Sequence, residues 1–123
     1  MDSLYREIIL EHWRDPQNYG EIKNPSFTMK DQNLYCGDSI AFTGKIKKGV
    51  LEDVKFTGQG CAISISSASL FTERVKGMKV KEILGISQEE YLKMVGMELG
   101  TTRIKCSLFV YSALIMALTS MSL

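Results

Sequence analysis

Two rhythms of hydrophobic and polar positions run along the chain, and the switches between them predict its elements. Leu4, Ile8 and Glu11/His12 recur at helical spacing, so Ser3 to about Trp13 is predicted as a helix that Asp2 can cap. It stops near Asp15-Pro16, because the residue before proline is pushed out of the helical region. Arg14 to Lys30 holds both prolines, Asn18, Gly20 and Asn24, and reads as a structured loop crossing the surface. The rhythm then becomes two. Ile40, Phe42 and Ile46 are apolar against Ser39, Thr43 and Lys45, and Val54 and Phe56 are apolar against Asp53 and Lys55. With Lys47-Lys48-Gly49 as the turn, Ser39 to Ile46 and Val50 to Thr57 form a hairpin with one buried and one wet face. Ser26 to Leu34 is the candidate third strand.

After the second strand, Gly58 and Gly60 permit a tight turn, and no helix breaker follows Cys61 until Gly77. The helix predicted from there to about Lys76 is crowded with Ser and Ala, small side chains that point to close packing on the sheet. Serine is a middling helix former, so tertiary contacts must hold it. Val80 to Leu84 and Ser87 to Val95 are short helical pieces split by Gly85, and Ser87 with Glu90 makes a capping box. Gly96 and Gly100 close that region. The last helix runs from Thr101 or Thr102 to about Ser120. Its stripe is Cys106, Phe109, Val110, Ala113, Leu114, Ala117 and Leu118, with Cys106 placed where the stripe emerges at the surface behind Arg103-Ile104-Lys105. No repeat or linker interrupts residues 1–123, which are expected to form a single domain.

Composition narrows the class without naming a chemistry. Apolar content of 45%, charged content of 24% and a net charge of +1 suit a soluble globular protein and give no support for nucleic acid or a membrane as partner. The apolar run Leu108 to Leu118 is shorter than the roughly 20 residues a bilayer span needs. The first ten residues lack a signal peptide's apolar core, so a cytoplasmic location is expected. Three cysteines are an odd number for a disulfide framework, which leaves packing residues, metal ligands or reactive thiols.

All three cysteines fall at element boundaries. Cys61 sits at a helix start, where unpaired backbone N–H groups favour a thiolate. Cys36 and Asp38, two apart in extended chain, point the same way with Gly37 between them, and Cys106 lies near another helix start. Together, three sulfurs and one carboxylate make a tetrahedral set for Zn²⁺, and would equally supply four terminal ligands to a [2Fe–2S] cluster. Oxygen is a harder ligand than sulfur, and one weak arm suits a cargo that must leave. Lys105 has no free lone pair, so its expected contribution is electrostatic support for Cys106. His12 is expected to be structural or at an interface.

Longer stretches carry a resemblance. Tyr5-Arg6-Glu7-Ile8-Ile9-Leu10-Glu11-His12-Trp13 with Asp15-Pro16-Gln17-Asn18-Tyr19-Gly20 resembles the opening of the iron–sulfur cluster scaffold family of IscU, NifU N-terminal and SufU proteins. Asn33-Leu34-Tyr35-Cys36-Gly37-Asp38 resembles its first ligand motif, Gly60-Cys61-Ala62 its second and Lys105-Cys106-Ser107 its third. The resemblance implies an α+β fold of the SufE/IscU kind, with a small antiparallel sheet of about three strands and helices packed on one side. It also implies metal ligation by Cys36, Asp38, Cys61 and Cys106, with Cys36 and Cys106 as candidate persulfide acceptors. The partner that supplies sulfur would be a PLP-dependent cysteine desulfurase, and apo iron–sulfur proteins would receive the product; a homodimer is left open.

Two departures keep two activities in view. Lys105 stands where IscU-type members have histidine, as in SufU-type members. The 45 positions from Cys61 to Cys106 (106 − 61) match the shorter IscU-like spacing, without the SufU-type insertion. One expectation is a scaffold that builds a transient [2Fe–2S] cluster; the other is a Zn²⁺-dependent sulfur acceptor; a structural zinc domain is the lesser alternative. The motif by which IscU-type members engage an Hsp70-type chaperone falls at Leu99-Gly100-Thr101-Thr102-Arg103 and lacks both prolines, which argues against that partner.

Overall fold

The computed structural model describes residues 3–33, 37–96 and 101–121; Asp2, Cys36, Leu99 and Gly100 lie outside them. In chain order the elements are α1 (Ser3–Arg14), β1 (Phe27–Asn33), β2 (Asp38–Lys47), β3 (Val50–Gln59), α2 (Ala62–Val75), α3 (Val80–Leu84), α4 (Gln88–Met94) and α5 (Thr101–Met121). Lys48 and Gly49 take positive φ angles of 52° and 77°, so the hairpin turn forms where the sequence places it. The sheet is an antiparallel meander in the order β1-β2-β3, with Phe42 opposite Phe56.

Strict alternation fails at one point. Ladder partners pass from Lys45↔Asp53 to Ile46↔Leu51, so Glu52 is an extra residue in β3. That bulge turns Leu51 onto the same face as Val54, and both are fully buried. The inner face of Phe42, Leu51, Val54 and Phe56 meets Phe71 and Val75 of α2 and Val110, Leu114 and Leu118 of α5. Tyr91 of α4 closes the core, edge-on to Phe71 at 4.7 Å, and donates its hydroxyl to the Ser107 carbonyl at 2.7 Å. Burial pushes that hydroxyl well above the usual tyrosine range, so it stays a neutral donor.

The face predicted to be wet is partly covered. The loop from Asp15 to Ser26 adds Asn18 and Gly20 to the β3 edge through bonds with Phe56. It then lies across the outer face, where Ile22 N–H donates to Thr43 Oγ1 at 2.9 Å, and Thr43 is buried. An edge that could pair with another chain is thereby capped.

The small residues of α2 serve helix approach more than sheet packing. Ser66 donates to the Ile9 carbonyl of α1 at 2.7 Å, Ser69 meets His12 Nδ1 at 2.6 Å, and Ser67 meets Ser107 of α5 at 2.8 Å. The helix is therefore pinned between α1 and α5 by hydroxyls. By length and composition the 19 residues Arg103–Met121, mean hydropathy 1.6, could cross a bilayer, unlike the shorter run named above. A core helix passes the same test, and here Val110, Ala113, Leu114 and Leu118 are buried against the rest of the fold.

Candidate metal centre

Three elements end or begin at one place. Asp38 opens β2, opposite Asn33 on β1, just after Gly37 at φ 72°. Cys61 is the N-cap of α2, extended at φ −73° and ψ 167°, and its carbonyl accepts the first helical bond from Ile65 N–H. Cys106 lies in the second turn of α5 on the inward stripe. One ligand atom from each of Asp38, Cys61 and Cys106 lies within 4.8 Å of the other two.

The corner between β3 and α2 is built for this approach. A Cβ on Gly60 would sit 2.8 Å from Asp38 Oδ1, so only glycine lets the chain pass so close to the carboxylate. Cys61 makes no side-chain cap for its helix. Asp38 supplies the equivalent from β2: Oδ1 accepts from Cys61 N–H at 3.3 Å, and Oδ2 accepts from Ser64 Oγ at 2.5 Å. Cys61 Sγ is 3.9 Å from Asp38 Oδ2 and 3.6 Å from Ser64 Oγ.

The donor set fits a borderline-soft cation. With Zn–S of about 2.3 Å and Zn–O of about 2.0 Å, tetrahedral ligand atoms stand roughly 3.5–3.8 Å apart, so the cysteine–carboxylate pair is almost at the required spacing. A carboxylate offers about four lone-pair positions; here the Cys61 N–H and the Ser64 hydroxyl take two, and the Cys61 thiol a third that is freed when the thiol loses its proton to ligate, which leaves room for an ion. Cys36, the fourth member of the expected set, lies outside the described residues. Cys61 is exposed. Cys106, expected at the surface, is buried at 6% exposure, because α5 packs against α2 and β1.

A cavity of about 530 Å³ opens on both described thiols, walled by Ile9, Leu10 and Ile63. Two cations, Arg6 of α1 and Arg103 of α5, also line it. Neither stood out from the sequence as a site residue. Arg103 precedes Cys106 by three positions, so it shares that face of the helix, a signal that was available; Arg6 arrives through packing of α1, which spacing does not show. Lys105 is exposed on α5. His12 stands apart from the three candidate ligands: its ring bonds Ser69, two turns along α2, with Glu73 Oε1 at 3.7 Å. Ser64 was missed among a run of serines.

Residues 4–122 match the family described as the NifU-like N terminal domain. The chain belongs to that family. Among NifU-like relatives, the zinc-dependent sulfurtransferase SufU of Bacillus subtilis is 40% identical over 88 residues, 72% of this chain and 59% of that protein. The iron–sulfur cluster assembly scaffold protein IscU of Thermotoga maritima is 37% identical over 86 residues, 70% of this chain and 61% of that protein. The alignments thus span about three fifths of either curated relative. A crystal structure from Fervidobacterium islandicum, described as a SUF-system scaffold, shares the NifU-like fold at a TM-score of 0.80 and 24% identity, covering 91% of this chain and 94% of that one.

Proposed function

We propose that the chain is a scaffold on which a [2Fe–2S] cluster is assembled as cargo and then passed to apo-proteins. The approach of Asp38, Cys61 and Cys106 to within 4.8 Å carries this reading. Cys36 would complete the set, and Asp38 would be the weak arm that keeps the cargo exchangeable. Arg6 and Arg103 would offset the charge that several thiolates and sulfide bring into the cavity. Sulfur would arrive as the persulfide of a cysteine desulfurase. A cysteine thiolate of this chain attacks the outer sulfur, the donor's S–S bond breaks, and the donor cysteine leaves as a thiolate. A cytoplasmic location and apo iron–sulfur proteins as receivers belong to the same reading.

A second reading has its own support. The likeness to SufU and the exposure of Cys61 beside Asp38 also suit a sulfur acceptor that holds Zn²⁺ on the same residues and releases one thiolate to attack. Anaerobic purification followed by metal and acid-labile sulfide analysis separates the two. A scaffold supplied with a desulfurase, cysteine, ferrous iron and a thiol reductant, which together with the iron reduces persulfide sulfur to sulfide, gains equal iron and sulfide and a visible chromophore. A zinc-dependent acceptor keeps one zinc, gains no labile sulfide and accelerates the desulfurase. Protein that holds neither metal nor sulfide overturns both.

A further inference from the structure

Buried carboxylates need hydrogen bonds, and Asp38, at 3% exposure, accepts from Cys61 N–H, from Ser64 Oγ and, as a weak thiol bond that ligation would remove, from Cys61 Sγ. The bond from Cys61 N–H fixes one oxygen only. A carboxylate rotates easily about its last torsion, so a second bond is needed to set its plane. Ser64 supplies that bond from the third residue of α2, the position from which a capping-box side chain reaches back to the N-cap amide. Here the carboxylate stands between the two and accepts from both. The next buried serines of the helix all face other elements: Ser66 meets Ile9, Ser67 meets Ser107, and Ser69 meets His12 and the Gln17 amide. Ser64 is the one that faces the candidate centre, touching both Asp38 and Cys61.

We infer that Ser64 is a positioning residue that holds the Asp38 carboxylate in ligand orientation before the cargo arrives, and so sets how tightly and how long the site keeps it. The inference rests on the metal-centre reading above. The hydroxyl has one proton. It is donated to Asp38 Oδ2, and the serine oxygen also lies 3.6 Å from Cys61 Sγ, a contact that needs the thiol proton and ends when Cys61 ligates as a thiolate. Once Cys61 is a thiolate and no longer donates to Oδ2, the two remaining lone-pair positions of the carboxylate are free for the ion.

The test is Zn²⁺ affinity, measured by competition with a chromophoric chelator, for the wild type, Ser64→Ala, Ser64→Thr, Asp38→Ala and the Ser64→Ala/Asp38→Ala double variant. Loss of an outer hydrogen bond to a ligand weakens binding about 10–100-fold, and that is the fall expected for Ser64→Ala, with faster zinc release. Ser64→Thr keeps the hydroxyl and is expected to bind close to wild type. In the Asp38→Ala background, Ser64→Ala is expected to cost nothing further, since its effect passes through the carboxylate. The Co²⁺ d–d spectrum of Ser64→Ala should move toward that of Asp38→Ala. Wild-type affinity in Ser64→Ala overturns the inference, as does an undiminished effect in the Asp38→Ala background. Equal loss in Ser64→Ala and Ser64→Thr together with a lowered Tm would show a packing role and overturn it too. If the wild type binds no zinc, or Asp38→Ala binds as the wild type does, the metal-centre reading itself falls.

Discussion

Gly60→Ala is a one-methyl perturbation aimed at the corner that brings α2 onto Asp38. The new Cβ would stand 2.8 Å from Asp38 Oδ1, 2.9 Å from its Cγ and 3.2 Å from its Cβ. Ordinary contact for such atoms begins near 3.4 Å, so the carboxylate or the β3–α2 corner must move by roughly half an ångström or more. Overpacking of this kind costs about 1–3 kcal/mol. Removing a glycine returns about 0.4–1 kcal/mol through the unfolded chain, because φ at Gly60 lies outside the left-handed region. The net expectation is a loss of about 1–2 kcal/mol in urea unfolding. Zinc affinity should fall more steeply, by about 10–100-fold, since the displaced group is the candidate ligand tied to Ser64 and the Cys61 amide. Gly85→Ala serves as the control: its Cβ would meet Glu82 O at 3.4 Å, an ordinary contact, and both affinity and stability should stay near wild type. If Gly60→Ala binds zinc as the wild type does, the close approach has no bearing on the site and the reasoning fails.

Three further outcomes follow from the same geometry. Asp38→Ala removes the group that caps α2 from outside, so unfolding should become easier by about 1–2 kcal/mol. On a scaffold the variant still assembles a coloured cluster and releases it more slowly, whereas on a zinc-dependent acceptor it loses metal and no longer stimulates the desulfurase. Gly44→Ala would drive a methyl to 2.1 Å from the Phe27 ring, and thermal unfolding should show a loss of about 3 kcal/mol without any special effect on metal binding. The Tyr91 hydroxyl is held neutral by burial, so the stability it contributes is complete below pH 10, where unfolded tyrosine keeps its proton, and is lost as pH rises above that value. Tyr91→Phe should cost about 1 kcal/mol near neutrality and flatten that alkaline decline in a urea titration series; an unchanged slope would contradict the assignment.

Much of the fold was legible because its signals are local. Hairpin strands, their Lys48-Gly49 turn, the Ser87–Glu90 capping box and the inward stripe of α5 each depend on residues a few positions apart. What escaped depends on partners distant in sequence. Leu51 breaks the two-residue rhythm and makes sense only with the bulge against Ile46, and Thr43 is buried because a loop from before β1 returns across it. The serines of α2 looked like small packing residues, and their division between α1, α5 and Asp38 is a tertiary fact. At the candidate centre, Cys61 at a helix start and Asp38 at a strand start were readable as boundaries, while the burial of Cys106 and the two arginines of the cavity required the packing of α1 and α5 on α2.

X-ray absorption at the zinc edge of the zinc-loaded protein tests the shared centre most directly. Joint ligation by Cys36, Asp38, Cys61 and Cys106 predicts a shell of three sulfurs near 2.3 Å and one oxygen at about 2.0 Å. A shell of nitrogen and oxygen alone, or one with fewer than two sulfurs, would contradict it.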